Sequence, residues 1–245
     1  MAESPGALKQ RAVRILDILD RTYPGATVEL RWRTPLELLV ATILSAQCTD
    51  ARVNEVTSTL FPKYKTARDW ARLRPADLER EIFSTGFYKA KARAVLGMAQ
   101  ALVTKHGGEV PRTMEALTEL PGVGRKTASV VLGNAFDVPA IAVDTHVFRV
   151  SQRLGLAKAV DADAIHDQLC ALLPPARWVQ ATHLLIWHGR RTCAARAPSC
   201  PTCTVAKLCP WPDKTTAAPA NARPATPAAR ARAGRTATPP KRRKG

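Results

Sequence analysis

The sequence predicts an all-α protein. Apolar residues recur at helical spacing in one segment after another, beginning with Leu8, Ala12, Ile15, Leu16 and Leu19. The segments are punctuated by residues that start and stop helices: Thr34-Pro35, Pro24-Gly25, Gly107-Gly108. No convincing run of alternating apolar and polar residues marks a strand.

In order, the first helix covers 8–22 and is stopped by Pro24-Gly25. Thr34 caps a second, with Pro35 at its first position. The segment that follows, P-L-E-L-L-V-A-T-I-L-S-A, is apolar nearly all round, which predicts a buried central helix. Asp50 is expected to cap the next helix, ending near Phe61-Pro62. Short helices are expected around 67–73 and 76–83, the second opened by Pro75. A long one at 88–106 stops at Gly107-Gly108. Thr113 caps a short helix that runs into Leu120-Pro121-Gly122-Val123-Gly124. Helices at about 144–154, 161–172 and 176–190 complete the set, before cysteines spread over 193–209.

The chain has 245 residues, enough for one or two domains, and its 46% hydrophobic content is that of a globular protein. Its net charge of +17 implies an anionic partner, nucleic acid before an acidic membrane surface. Residues 214–245 hold nine Lys or Arg and no acid, leaving +8 on the rest. After Trp211-Pro212 little remains but Ala, Pro, Thr, Arg and Lys, so 213–245 is expected to be a disordered basic tail. The N-terminus lacks the basic-then-apolar order of a secretory signal, and no apolar run approaches the ~20 residues of a membrane span. A soluble, cytoplasmic, monomeric protein is expected, where thiols stay reduced.

Residues 120–148 stand out. Gly122 and Gly124 bracket a turn where backbone bends tightly and can approach another molecule closely. The helix beyond presents its first free amides outward, which suits a phosphate. Lys126, near that helix start, faces the positive end of the dipole with Arg125 beside it; both favour the neutral amine, the nucleophilic form. Asp144, before Thr-His-Val-Phe-Arg-Val, is placed to cap the following helix.

Cys193, Cys200, Cys203 and Cys209 read Cys-x6-Cys-x2-Cys-x5-Cys. Four thiols so close, in a reducing compartment, point to a metal centre. Both tetrahedral zinc and an iron–sulfur cluster take four cysteines. Cys48 and Cys170 are isolated and read as ordinary buried thiols.

Four motifs, in this order and spacing, resemble the endonuclease III family of helix–hairpin–helix DNA glycosylases. They are L-S-A-Q-C-T-D (44–50), T-G-F-Y-K-A-K-A (85–92), L-P-G-V-G-R-K-T-A (120–128) with V-D-T-H-V-F-R-V (143–150), and the four cysteines. The resemblance runs from about 8 to 212. It implies two all-helical domains flanking a DNA-binding cleft. A six-helix barrel with the helix–hairpin–helix would be 28–138, and a domain holding a 4Fe–4S cluster on the four cysteines would join 1–27 to 139–212.

The resemblance further implies damaged double-stranded DNA as substrate and a bifunctional glycosylase and AP lyase of base excision repair. Lys126 would attack the sugar of an extruded oxidised pyrimidine nucleotide and form a Schiff base, Asp144 would stabilise developing positive charge, and β-elimination would cut the strand. Gln47 and Phe87 match positions that fill the gap left by the extruded nucleotide, although an aliphatic residue is common where Phe87 stands. Gly122 and Gly124 would hold a DNA phosphate, with Arg125 adding charge and His146 touching DNA near the cleft. Trp178, His183, Trp187 and His188 read as core around the cluster. Two other functions fit parts of this pattern. An adenine mismatch glycosylase shares the hairpin, aspartate and cluster but typically lacks the hairpin lysine and carries a further C-terminal domain. A non-enzymatic DNA-binding module would need neither Lys126 nor Asp144.

Overall fold

The structure, a computed structural model, describes residues 3–217. Among them there are eleven α-helices and no strand: α1 (Pro5–Thr22), α2 (Pro35–Leu44), α3 (Asp50–Leu60), α4 (Ala67–Ala71), α5 (Pro75–Glu81), α6 (Tyr88–Lys105), α7 (Met114–Thr118), α8 (Arg125–Ala135), α9 (Thr145–Arg153), α10 (Ala162–Leu172) and α11 (Trp178–Arg191). The all-α expectation holds. Most starts are set by the residue types expected there: Ser4, Thr34, Thr66, Thr113, Asp144 and Asp161 each accept a first-turn amide. A cap of this kind contributes about 1 kcal/mol.

Several boundaries differ from expectation. Thr49, not Asp50, caps α3, its Oγ1 accepting the Arg52 amide at 3.3 Å. Asp50 thereby becomes the first helical residue, and its carboxylate is free for another partner. The short helices expected around 67–73 and 76–83 are Ala67–Ala71 and Pro75–Glu81, and the chain then tightens into a 3-10 turn at Phe83–Thr85. A 3-10 turn at Pro175–Arg177 likewise precedes α11, which starts two residues later than expected.

The helices build two apolar cores. One draws on residues 30–140, with α2 at its centre: eight of its ten residues are buried, from Leu36 to Leu44. Each fully buried Leu there contributes roughly 2 kcal/mol, so truncating Leu39 to alanine costs about 2–5 kcal/mol. The other core joins α1, through Ala12, Ile15, Leu16, Leu19 and Tyr23, to residues from Ile141 to Val205 on α9, α10, α11 and the cysteine loop. The first and last helices of the described chain are thus neighbours, and the hairpin of α7 and α8 belongs to the first core. Of the expected basic tail, residues 213–217 are folded back. Thr215 Oγ1 accepts the Cys200 amide at 3.3 Å and donates to Pro198 O at 2.6 Å, so the cysteine loop is tied beyond its last ligand-type residue. The rest, 218–245, lies outside the described residues.

Candidate active site

The turn between α7 and α8 closes through Val123 N to Leu120 O at 3.1 Å. Gly122 sits at φ +75°, where a Cβ would lie 2.5 Å from Ala94 Cβ on α6. Here glycine is required twice, by conformation and by close approach. Gly124 differs. It is extended at φ −91°, ψ 175°, and a Cβ there would meet nothing within 4 Å. Nothing inside the fold demands a glycine at 124. As the N-cap of α8 it offers no side chain, so the first amides of the helix have no side-chain acceptor.

Lys126 stands exposed in the first turn of α8. Asp144 precedes α9 on the other core, its Oδ1 accepting the amides of His146 at 2.9 Å and Val147 at 2.8 Å. Both residues line a cavity of about 70 Å³ between the two cores and also an open groove leading from it. Gln47, His146, Asp50 and Arg190 border the same groove. A lysine and a carboxylate from different cores therefore line one opening.

The other predicted residues are placed as follows. Gln47 is exposed at φ +50°. Phe87, also at φ +50°, is 66% exposed on a turn outside the groove lining. A non-glycine residue held there costs about 1–3 kcal/mol, so both turns store strain. Arg125 reaches across to α10, 3.1 Å from Asp163 Oδ1 and 3.8 Å from Asp167 Oδ1. The like charge expected beside Lys126 is therefore offset by two carboxylates. His146 is half-buried, its Nδ1 3.2 Å from Arg149 Nη2, and burial lowers its pKa.

Cys193, Cys200, Cys203 and Cys209 line one pocket, and all four are free thiols. Among the described residues no three His, Cys, Asp or Glu side chains are arranged around a single-ion position. Burial pushes the Cys203 thiol up to about 11 and raises that of Cys209. Arg149 and Arg153, on the α9 that Asp144 caps, hold the loop: Arg149 Nε donates to Cys193 O at 3.2 Å and Arg153 Nη1 to Ala194 O at 2.7 Å.

A family model described as HhH-GPD superfamily base excision DNA repair protein matches residues 40–175. Endonuclease III of Synechocystis sp. is 52% identical over 203 residues, 82% of this chain and 93% of that one. The chain belongs to the endonuclease III family. Its similarity to endonuclease III of Escherichia coli is 41% over 206 residues, covering 84% of this chain and 98% of that one. A solved structure of a non-covalent endonuclease III–DNA complex is 46% identical with a TM-score of 0.80, covering 83% of this chain and 95% of that one. A trapped endonuclease III–DNA covalent intermediate has the same identity and TM-score, covering 83% and 96%.

In this endonuclease III family member, sequence reasoning missed Arg190. Its Nη1 lies 2.5 Å from Glu29 Oε2 and 2.7 Å from Asp50 Oδ2, so one guanidinium on α11 bridges two acids that line the cavity. Asp50 could be paired this way because Thr49 took over the cap. The grouping of Trp178, His183, Trp187 and His188 around the cysteines is corrected in part. His188 Nε2 is 3.7 Å from Cys203 Sγ. His183 instead bonds Asn134 Oδ1 on α8 at 2.9 Å, and Trp187 Nε1 donates to Thr27 O at 3.0 Å; both line the cavity between the cores. Cys48 and Cys170 are half-buried, not fully buried. No helix among the described residues is long and apolar enough to cross a membrane.

Proposed function

We propose that the chain is a bifunctional DNA glycosylase and AP lyase of base excision repair, acting on oxidised pyrimidines in duplex DNA. The observation that carries this reading is the placement of Lys126 and Asp144, from separate cores, on one groove. The relatives' names and the DNA in two of the similar solved structures support it. The two cores are taken as two domains, 28–138 and 1–27 with 139–212.

In the proposed reaction the neutral Lys126 amine attacks C1′ of an extruded nucleotide. The C1′–N bond breaks, and the base leaves with the electron pair and gains a proton. The ring opens to a Schiff base between Lys126 Nζ and C1′. Loss of a C2′ proton then drives out the 3′ oxygen, breaking the strand by β-elimination. Asp144 stabilises positive charge as the glycosidic bond breaks and accepts or returns protons at Lys126. Gln47 and Phe87 fill the gap in the duplex, and the hairpin amides around Gly122 and Gly124 hold a phosphate, with Arg125 exchanging its carboxylates for phosphate.

The cysteine pocket fits a 4Fe–4S cluster. Four free thiols line one pocket, the ligand set that such a cluster takes. Cys193, Cys200, Cys203 and Cys209 would hold the cluster, which supplies a structural cross-link of the loop and takes no part in the steps above.

Borohydride trapping tests the reading. The wild type is expected to cross-link covalently to a thymine-glycol or abasic duplex, and Lys126→Ala to bind the duplex without cross-linking. Trapping retained in that variant removes Lys126 from the mechanism. Iron analysis tests the cofactor: about four irons per chain with a yellow-brown colour is expected, and stoichiometric zinc without colour overturns it.

A further inference from the structure

Lys91 is a charged residue in an unusual place. It lies on α6 and is only 4% exposed, on a helix whose Ala92 and Val95 are fully buried. Its ammonium makes one hydrogen bond among the described residues, to Thr85 O at 2.8 Å. Its own backbone amide donates to Phe87 O at 3.1 Å. The backbone bond is the first of the helix and would form with any residue at 91, whereas the side chain alone ties Thr85, at the start of the 85–87 turn, to α6. That turn needs holding: Gly86 is at φ +69°, Phe87 at φ +50°, and Phe87 begins α6 with no side-chain cap. An apolar side chain would fill the space without burying an ammonium, so packing alone does not account for Lys91.

We propose that Lys91 is a positioning residue that locks the Phe87 turn, so that the aromatic side chain projects toward DNA without collapsing onto the protein. The inference rests on the reading of Phe87 as the residue that fills the duplex gap. It concerns only the extrusion of a stacked, paired nucleotide and assigns Lys91 no contact with the reacting atoms.

Lys91→Met, Phe87→Ala and the double variant are compared by single-turnover cleavage on two substrates. One carries an oxidised pyrimidine paired in a duplex, the other the same lesion in a short bubble where it is already unpaired. Thermal melts of each variant are recorded. On the paired duplex, Lys91→Met is expected to be slowed by about tenfold or more, and the double variant to be no slower than Phe87→Ala within about twofold. On the bubble the deficit of Lys91→Met is expected to shrink at least about fivefold, which a general loss of structure would not produce. Lys91→Gln, which keeps an amide donor for Thr85 O, should recover part of the rate.

A slow Phe87→Ala beside an unimpaired Lys91→Met overturns the positioning role alone. Effects that multiply in the double variant do the same. If Phe87→Ala cuts the paired duplex as fast as wild type, the gap-filling reading falls and this inference falls with it. If both Lys91 variants unfold, Lys91 belongs to the fold and not to the turn.

Discussion

Asp144 caps α9 through one carboxylate oxygen. Its Oδ1 accepts the Val147 amide at 2.8 Å and the His146 amide at 2.9 Å, whereas Oδ2 accepts no hydrogen bond among the described residues. The capping and charge-stabilising roles can therefore be separated by substitution. Asparagine caps about as well as aspartate but carries no charge. Asp144→Asn is expected to melt like the wild type and to lose about 10²-fold or more in single-turnover base release. Asp144→Ala should lose similar activity and also about 1 kcal/mol of stability. Full activity in the asparagine variant would leave Asp144 as a cap alone.

The two hairpin glycines should fail differently. At Gly122 an alanine must hold φ +75° and press a methyl 2.5 Å from Ala94 Cβ. Gly122→Ala is expected to cost about 2–4 kcal/mol in urea unfolding, with part recovered when Ala94 becomes glycine. Gly124→Ala has open space and extended backbone, so its stability should stay within about 0.5 kcal/mol of wild type. Its deficit should instead appear as weaker binding to duplex DNA, where the added methyl meets a phosphate. Equal DNA affinity in Gly124→Ala would mean that the hairpin does not approach the backbone closely there.

The contrast marks what the sequence made legible. Asp144, the hairpin and the buried α2 were readable because each signal is local: a cap, a turn, an unbroken apolar face. Arg190 was not, since its partners Glu29 and Asp50 lie 161 and 140 residues away and surface charge looks alike in every helix. Lys91 was hidden for a related reason. A lysine in an amphipathic helix reads as solvated until the Thr85 carbonyl is found beneath it. The histidines and tryptophans of α11 were legible as core, but helical spacing alone cannot say that one face meets the cysteine loop and another meets α8.

His183 offers a test of that seam. Burial pushes its pKa from 6.5 down to about 4, and it bonds the Asn134 oxygen, whose amide nitrogen is already committed to Val130 O. The unfolded chain takes up this proton as pH falls through about 6.5, while the folded protein resists until about 4. The stability that His183 contributes is therefore full above pH 6.5, declines between 6.5 and 4, and is gone below. The His183 share of that loss is roughly 3 kcal/mol. Urea unfolding from pH 7 to pH 4 should show a shallower decline in His183→Gln than in wild type. Parallel curves would mean that the imidazole is protonated in place.

Residues 218–245 carry eight Lys or Arg and no acid, whereas 213–217 are tied to the cysteine loop through Thr215. A truncation after Ala217 therefore removes most of the basic tail and spares the contacts that close the loop. Cations that neutralise DNA phosphates release counterions, and each steepens the log–log salt dependence of binding by about 0.9. With only some of the eight engaged at once, truncation should flatten the slope for undamaged duplex DNA by several units, within a ceiling of about 7. Single-turnover cleavage at saturating enzyme should stay close to wild type, because Lys126, Asp144 and the four cysteines all precede the cut. Equal salt slopes for the two proteins would remove the tail from DNA binding. A lower single-turnover rate in the truncated protein would instead assign the tail to the active site.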